Sequence, residues 1–272
     1  GDTFTATTIE GVEMTFKILN EVEKTVQVGS GSPAIDKSTE GVLTIPNNVD
    51  KDGRTYRVTG IGNDAFYTCQ FLTSITIPEG VTSIGRAAFY FCTYLTSVTI
   101  PESMISIGHY AFYHCDLASI TIPKNVTSIG SDSFSYCSRL ESITVATGNS
   151  VYDSRDNCNA IINTKTNTLF LGCKNTIIPN GVTTIGEYAF DGCSRMTSIT
   201  IPESVKSIEE DAFHQCSSLS SITLPEGVTS IGGSAFAWCS SLTSINIPES
   251  VTTIGEYNQE IKGETNVEII PV

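Results

Sequence analysis

The 272-residue sequence is poor in basic residues, in histidine and in long apolar runs. Lysine and arginine number 15 against 29 acidic residues, and the formal net charge of -14 predicts a surface that repels nucleic acid and anionic lipid. No apolar run approaches the roughly 20 residues that span a bilayer, so we expect no transmembrane segment in this chain. The three histidines, at positions 109, 114 and 214, leave acid–base catalysis few groups to use.

Catalytic and metal-binding motifs are missing as well. The sequence has no Gly-x-Ser-x-Gly elbow, no His-Glu-x-x-His and no phosphate-binding Gly-x-x-x-x-Gly-Lys-Ser/Thr loop. Its nine cysteines lack the spacing of a zinc site. Asp153, Asp156 and Asn157 could hold calcium, but the Gly and terminal Glu of an EF-hand are absent, and a turn held by Asx side chains is the simpler interpretation. The sequence therefore predicts no catalytic residue, no cofactor and no metal ion.

What the sequence has in abundance is one repeat. The pattern Ala-Phe-x-x-Cys-x-x-Leu-x-Ser-Ile-x-Ile-Pro-x-x-Val-x-x-Ile-Gly is complete over residues 65–85. Its aromatic position recurs at steps of 23, 23, 22, 56, 23 and 23 residues, at Phe66, Phe89, Phe112, Phe134, Phe190, Phe213 and Phe236. A unit of this length cannot bury its own apolar face, so we expect the units to stack as the coils of a solenoid with one shared core.

Each coil is expected to have two short strands and one tight corner. Alternating apolar residues over 72–78 predict a strand that proline ends, and residues 81–85 supply a second inward-facing pair. Residues 87–92 predict a single helical or 3-10 turn. The predicted fold class is an α/β solenoid of mostly short β-strands with helical or 3-10 turns.

This repeat resembles the leucine-rich repeats of the BspA-like family of bacterial surface proteins. The resemblance covers about residues 41–255 and is specific, because a cysteine lies three residues after each motif Phe, at Cys69, Cys92, Cys115, Cys137, Cys193, Cys216 and Cys239. It implies a curved, right-handed superhelix and a role in surface adhesion or host interaction, and it carries over no catalytic residue. The in-register cysteines predict a ladder of buried thiols, with disulfides between adjacent coils as the alternative.

The ends and one expanded unit depart from the repeat. Residues 1–40 predict an N-terminal β cap, residues 41–255 the solenoid, and residues 256–272 a C-terminal cap or tail that ends in one closing strand. In the expanded unit, about residues 146–179, two apolar runs predict a hairpin that projects from the solenoid. Cys158 and Cys173 flank this hairpin and could form a disulfide. Because the chain starts at Gly1 without Met, we expect an exported protein whose signal has been removed.

Two surfaces are candidates for ligand binding. The residue after the motif Phe is tyrosine in three successive units, and the expected aromatic stripe contains Tyr67, Tyr90, Phe91, Tyr94, Tyr110, Tyr113 and Tyr136. Such a stripe either packs along the corner, or is an exposed patch that anchors a partner or stacks on sugar rings. The strand face carries small hydroxyl side chains, among them Thr76, Thr99 and Thr121, and is either a solubilised sheet or a platform that binds an extended polymer or a protein by many weak contacts.

These observations predict a monomeric, non-enzymatic interaction protein at the cell surface or in the extracellular space. Its ligands are expected to be proteins or glycans outside the cell, and nucleic acid is not expected among them. A metal-dependent or enzymatic module in the expanded unit and a purely structural spacer are the alternatives.

Overall fold

The computed structural model describes residues 1–256 and the backbone of residues 268–271. The chain divides into two compact units, Gly1–Cys137 (unit 1) and Ser138–Val272 (unit 2). Strands and turns make up nearly all of both units, and each is a stack of coils joined by parallel pairing. Most of the predicted C-terminal tail, residues 256–272, lies outside the described residues.

The larger sheet of unit 1 starts with antiparallel strands and continues as a parallel ladder. β1 (Thr3–Thr7), β2 (Glu13–Asn20) and β3 (Thr25–Val28) form a small antiparallel sheet. β3 pairs in parallel with β6 (Arg54–Ile61), and the ladder continues through β8 (Ser83–Ile84), β10 (Ser106–Ile107) and β12 (Ser128–Ile129). β5 (Asn48–Lys51) pairs with β6 across a turn at Asp52 and Gly53, both of which have positive φ, as a two-residue hairpin requires.

A second sheet of unit 1 contains the first strand of each coil. It consists of β4 (Gly41–Thr44), β7 (Leu72–Thr76) and β9 (Ser97–Thr99), all parallel, and β11 (Ser119–Ile122) is the corresponding strand of the next coil. Ile75 points into the core and is buried, whereas Thr76 on the same strand is exposed. The predicted alternation of inward and outward residues is therefore present.

The corner of each coil is a series of turns, and the prediction of a helical or 3-10 turn there is wrong. Asp64 and Thr68, two residues before and after Phe66, have φ of 56° and 57°. Pairs of residues with positive φ, four positions apart, also flank the other motif phenylalanines. This left-handed backbone conformation prevents a continuous helix at the corners. The only helix among the described residues is one 3-10 turn at Arg155–Asn157, outside these corners.

These corners form hydrogen bonds from coil to coil. The backbone N–H groups of Asp64, Phe66 and Thr68 donate to the carbonyls of the next coil at 2.9, 2.7 and 2.7 Å. The intervening N–H groups bond within their own turns, as that of Tyr67 does to the carbonyl of Asp64. These hydrogen bonds satisfy the backbone N–H groups of the corner. The corner can therefore be buried between neighbouring coils without forming a helix.

The motif phenylalanines form the centre of each core. In unit 1, Phe66, Phe89, Phe112 and Phe134 stack with successive ring centroids 5.0, 5.0 and 5.2 Å apart. In unit 2, Phe190, Phe213 and Phe236 stack at 5.0 and 5.4 Å. All seven rings are buried, which confirms that the repeat aligns them in file within each unit.

Unit 2 also joins antiparallel strands to a parallel ladder. β14 (Tyr152–Asp153), β15 (Ala160–Asn163) and β16 (Thr168–Gly172) are antiparallel. β16 then pairs in parallel with β17 (Thr184–Ile185), followed by β18 (Ser207–Ile208), β19 (Ser230–Ile231) and β21 (Thr253–Ile254). The remaining strands are β13 (Ser142–Val145), β20 (Ser244–Ile247) and β22 (Glu268–Pro271), the last of which pairs with β20 near the predicted closing strand.

The hairpin of the expanded unit is present but does not project. Leu169 of β16 lies opposite Ile185 of β17, and both Ile162 and Leu169 are fully buried. The two apolar runs need burial, and pairing with the ladder supplies it. Gly172 ends the hairpin beneath the ring of Phe190, where any Cβ would collide with that ring.

The cysteines lie in the core as thiols. Six of the seven repeat cysteines are buried and Cys193 is half-buried, which confirms the predicted ladder. Cys158 and Cys173 are both free and buried, so the disulfide considered for them does not form. Their thiols lie near the backbone carbonyls of Ala160 and Asn159, at 3.8 and 3.6 Å respectively.

Candidate ligand-binding groove

Three of the tyrosines singled out in the sequence stack on one another in unit 1. The ring centroids of Tyr67 and Tyr90 are 5.1 Å apart with an angle of 1° between the rings, and those of Tyr90 and Tyr113 are 5.0 Å apart at 10°. All three side chains are half-buried. The stack follows from the 23-residue period, because hydrogen bonds between coils bring the residue after each motif Phe to the same place on the corner.

A second row of rings lies beside this stack. Phe91 is 4.8 Å from Tyr90 and stacks on His114 at 4.5 Å, and Tyr136 lies 5.1 Å from Tyr113. The ring of Tyr110 also lies 5.7 Å from that of Tyr113, so the structure brings together six of the seven aromatic residues of the predicted stripe. The seventh, Tyr94, stacks instead on Phe71 at 6.3 Å, and both of these rings are exposed.

The stacked tyrosines form part of an open groove of about 600 Å³ in unit 1. The other residues of this groove are Gly31, Ser32, Pro33, Asp64, Arg86, Ala87 and Tyr110. The sequence analysis placed Tyr110 in the aromatic stripe but did not select Arg86, although Arg86 occupies a fixed repeat position close to a motif Phe. Nothing in the sequence pointed to residues 31–33, because they lie outside the repeats and reach the groove through the fold.

Charged groups of both signs surround the groove. The ammonium of Lys37 lies 5.6 Å from the centroid of the Tyr67 ring, within the range of a cation–π contact. Arg86 is exposed and Asp64 half-buried. Burial, and then the neighbouring phenols of Tyr67 and Tyr110, raise the pKa of Tyr90 above its ordinary value, so its hydroxyl keeps its proton at neutral pH.

The hydroxyl face of unit 1 is exposed and regular. Thr76 lies opposite Thr99 in the parallel pair of β7 and β9, and Thr121 is exposed on β11. Ser74 and Ser97 form a second row in the same register. This face offers small, uncharged contacts, and the groove on the corner offers large rings and charges.

The corresponding corner of unit 2 is acidic. At the repeat position of the three stacked tyrosines it carries Asp191 and His214, whose Oδ1 and Nδ1 atoms are 2.8 Å apart. Glu187 and Glu210 are exposed on the same corner. Burial, and then the acidic neighbours, raise the pKa of Asp211 to about 6 against the opposing effect of His214.

The oxygen-rich segment of the expanded unit is held together by its own side chains. The Nε and Nη2 atoms of Arg155 donate to the two carboxylate oxygens of Asp153, each at 2.7 Å, and the Thr164 hydroxyl donates to Oδ2 at 2.7 Å. Burial opposes ionisation of Asp153, but these bonds outweigh it and its pKa lies below the ordinary value. Among the described residues, no three His, Cys, Asp or Glu side chains are placed to share a metal ion.

Comparison with known proteins identifies the repeat. A family model described as a BspA type leucine rich repeat region matches residues 59–166 and 162–262, in six copies. No curated protein sequence matches the chain. Within residues 1–256 and 268–271, no helix has the length and apolar character needed to cross a bilayer.

Solved structures of bacterial leucine-rich repeat proteins are similar to the chain. A leucine-rich repeat protein from Bacteroides ovatus is 26% identical with a TM-score of 0.56, and the match covers 89% of this chain and 59% of that one. A leucine rich cell surface protein from Faecalibacterium prausnitzii is 27% identical, with a TM-score of 0.54 and coverage of 93% and 85%. The pneumococcal vaccine antigen PcpA has the same fold, with a TM-score of 0.60 at 19% identity and coverage of 93% and 78%.

Proposed function

We propose that this chain, which belongs to the family of BspA-type leucine-rich repeat proteins, is a non-enzymatic interaction protein of the bacterial surface or the extracellular space. Proteins built from leucine-rich repeats are generally modules for protein interaction, and one relative of similar structure is described as a cell surface protein. The chain spans 59% of the length of the Bacteroides ovatus protein, so the proposal concerns the repeats described here and not the whole of that relative.

The tyrosine groove of unit 1 is the observation that carries this proposal. Tyrosine and arginine are enriched among the residues that dominate binding energy at protein interfaces, and here Tyr67, Tyr90, Tyr113 and Arg86 line one concave surface. Hydrogen bonds within and between coils hold the backbones of these residues, so binding needs little ordering of the chain. We propose that this groove binds proteins or glycans outside the cell and thereby supports adhesion.

Other parts of the proposal concern how the groove is supported. We propose that residues 1–40 cap the first coil, because β3 pairs with β6 at the start of the parallel ladder and β1 ends that sheet. The coils are proposed to wind right-handed, as parallel connections do. We further propose that the protein acts as a monomer and that Thr76, Thr99 and Thr121 contribute weak contacts along the strand face.

A binding screen tests the function. The purified protein is screened by biolayer interferometry against extracellular matrix proteins and polysaccharides, and each binder is then tested against Tyr90→Ala. Loss of a central aromatic anchor is expected to weaken binding by at least about tenfold, whereas Tyr94→Ala, which removes an exposed ring outside the groove, leaves it unchanged. Circular dichroism melting shows that each variant is folded.

Two outcomes would contradict the assignment. Wild-type binding that Tyr90→Ala leaves intact but Thr99→Arg abolishes would move the site to the strand face. A protein that binds none of the screened ligands more tightly than its Tyr90→Ala variant does would instead behave as a structural spacer.

A further inference from the structure

The three stacked tyrosines offer a ligand their edges and hydroxyls rather than their ring faces. Tyr67 and Tyr113 cover the two faces of Tyr90, at 5.1 and 5.0 Å. The ammonium of Lys37 lies over the Tyr67 ring, whose other face is against Tyr90. Stacking a sugar ring requires an open aromatic face, so this arrangement suits neutral saccharides poorly.

The groove also presents a set of hydrogen-bond donors. Within the described part of the chain, the hydroxyls of Tyr67, Tyr90 and Tyr110 have no hydrogen-bond partner. The edge of an aromatic ring carries partial positive charge, and a phenol donates its proton readily. The ligand groups that fit such a surface are oxygen acceptors, such as peptide carbonyls and carboxylates.

Two opposite charges line the same groove without neutralising each other. Asp64 and Arg86 belong to adjacent coils, which meet where the Asp64 N–H donates to the Arg86 carbonyl at 2.9 Å. Neither side chain forms an ion pair with any of the described residues. A ligand complementary to this groove therefore carries charges of both signs.

We propose that the groove binds an extended segment of a partner protein that contains one acidic and one basic side chain. The acidic group pairs with Arg86, the basic group pairs with Asp64, and the tyrosine hydroxyls donate to carbonyl oxygens of the segment. Pro33 and Ala87 supply apolar contact along the walls. An acidic glycan satisfies Arg86 and the hydroxyls but leaves Asp64 facing a like charge, which favours the peptide. The inference rests on the proposed function and names the class of partner for the same site.

The test uses probes of defined charge. Short fluorescent peptides on one common background carry an acidic and a basic residue at varied separation, an acidic residue alone, a basic residue alone, or neither. Polygalacturonate and dextran serve as acidic and neutral glycan probes. Fluorescence anisotropy measures peptide binding to the whole chain, with the glycans added as competitors and in direct biolayer interferometry.

Three conservative variants probe the groove without emptying it. Tyr90→Phe keeps the ring stack and removes one donor, Arg86→Gln removes the cation, and Asp64→Asn removes the anion with a residue that tolerates the φ of 56°. Tyr94→Phe and Arg195→Gln are the matched controls, because both positions are exposed and lie outside the groove.

We expect the best mixed-charge peptide to bind at least about tenfold more tightly than the single-charge peptides. Each of the three groove variants should lose at least about fivefold in affinity, and neither control should change. Binding of polygalacturonate that depends on Arg86 but not on Asp64, or failure of every peptide to bind, would overturn the inference. Neither outcome removes the proposed function, which fails only if Tyr90→Ala leaves the binding of every screened macromolecule unchanged.

Discussion

The thiol of Cys92 donates to the backbone carbonyl of Phe66 in the preceding coil, with the sulfur 3.2 Å from the oxygen. The same carbonyl also accepts the backbone N–H of Cys69 at 3.0 Å. Equivalent thiol contacts of 3.1 to 3.2 Å recur within each unit, at Cys115, Cys137, Cys216 and Cys239. Cysteine therefore fills a small buried space and supplies a weak second donor to the carbonyl of the preceding coil.

The buried thiols make stability sensitive to alkaline pH. Burial raises the pKa of Cys137 to about 12, whereas an unfolded thiol ionises near about 8.5. The thiol therefore contributes its full stability below the unfolded pKa and loses it as pH rises toward 12. We expect the free energy of unfolding of the wild type to exceed that of Cys137→Ala by about 1 to 2 kcal/mol at pH 7.

Above the unfolded pKa, this difference should shrink by about 1.4 kcal/mol per pH unit. Urea denaturation under reducing conditions between pH 7 and about pH 10 measures both proteins. Other titrating groups are common to the two chains and cancel in the comparison. A difference that stays constant with pH would show that the thiol is not buried in the folded state.

The phenylalanine stack predicts a large cost for losing one ring. Phe112 is fully buried between Phe89 and Phe134, with centroid distances of 5.0 and 5.2 Å. Phe112→Ala is expected to lower the free energy of unfolding by about 3 to 5 kcal/mol, because the neighbouring coils cannot close the cavity. Denaturant melts measure the change, with exposed Tyr94→Ala as the control at under about 1 kcal/mol. An unaltered melt for Phe112→Ala would contradict the stack.

The environment of Asp211 predicts that its substitution by asparagine stabilises the folded protein in a pH-dependent way. Because its pKa is raised to about 6, the folded state favours the neutral acid, and stability falls as pH rises from the unfolded value near about 3.9 through 6. Asp211→Asn should therefore raise stability at pH 8 by on the order of 1 kcal/mol after solvent screening, and leave it unchanged below pH 4. Asparagine also tolerates the φ of 52° at this position. Thermal melts measure this variant and Glu203→Gln, an exposed control, at both pH values. A gain for Asp211→Asn that is equal at the two pH values would contradict the raised pKa of Asp211.

Backbone strain at the corners predicts a stabilising substitution. Thr68 is β-branched and has a φ of 57°, a conformation that costs about 1 to 2 kcal/mol for most residues and less for asparagine. Thr68→Asn should raise the free energy of unfolding by about 1 kcal/mol. Thr93 lacks a positive φ, so Thr93→Asn should bring no such gain in the same denaturant series. Equal effects of the two substitutions would argue against the left-handed corner.

The repeat period was enough to predict which residues align. It placed the seven phenylalanines in the cores, the cysteines beneath the turns and the tyrosines in a row, because hydrogen bonding between coils preserves repeat position. The backbone conformation of the corners could not be predicted from the repeat period. The spacing of Ala65, Phe66 and Cys69 matches one face of a helix, and only the left-handed conformation at Asp64 and Thr68 distinguishes a run of turns from it.

Contacts between residues that are far apart in the sequence also could not be predicted from the repeat pattern. The apolar runs of the expanded unit predicted a hairpin, but the pairing of Leu169 with Ile185 depends on how the next coil closes. In the groove, Tyr67, Tyr90 and Tyr113 followed from the repeat, whereas Pro33 reaches the same surface from the non-repetitive N-terminal segment. No repeat period connects Pro33 with these tyrosines, so a single sequence contains no signal that they share a surface.

Fluorine NMR of the fluorotyrosine-labelled protein tests the central claim, that the groove of unit 1 is the binding surface. The strongest ligand from the screen is titrated into the protein, and the signals are assigned with single Tyr→Phe variants. We predict that the resonances of Tyr67, Tyr90 and Tyr110 shift as the ligand binds, while that of Tyr94 stays in place. Saturated binding that leaves these three resonances unshifted would contradict the account.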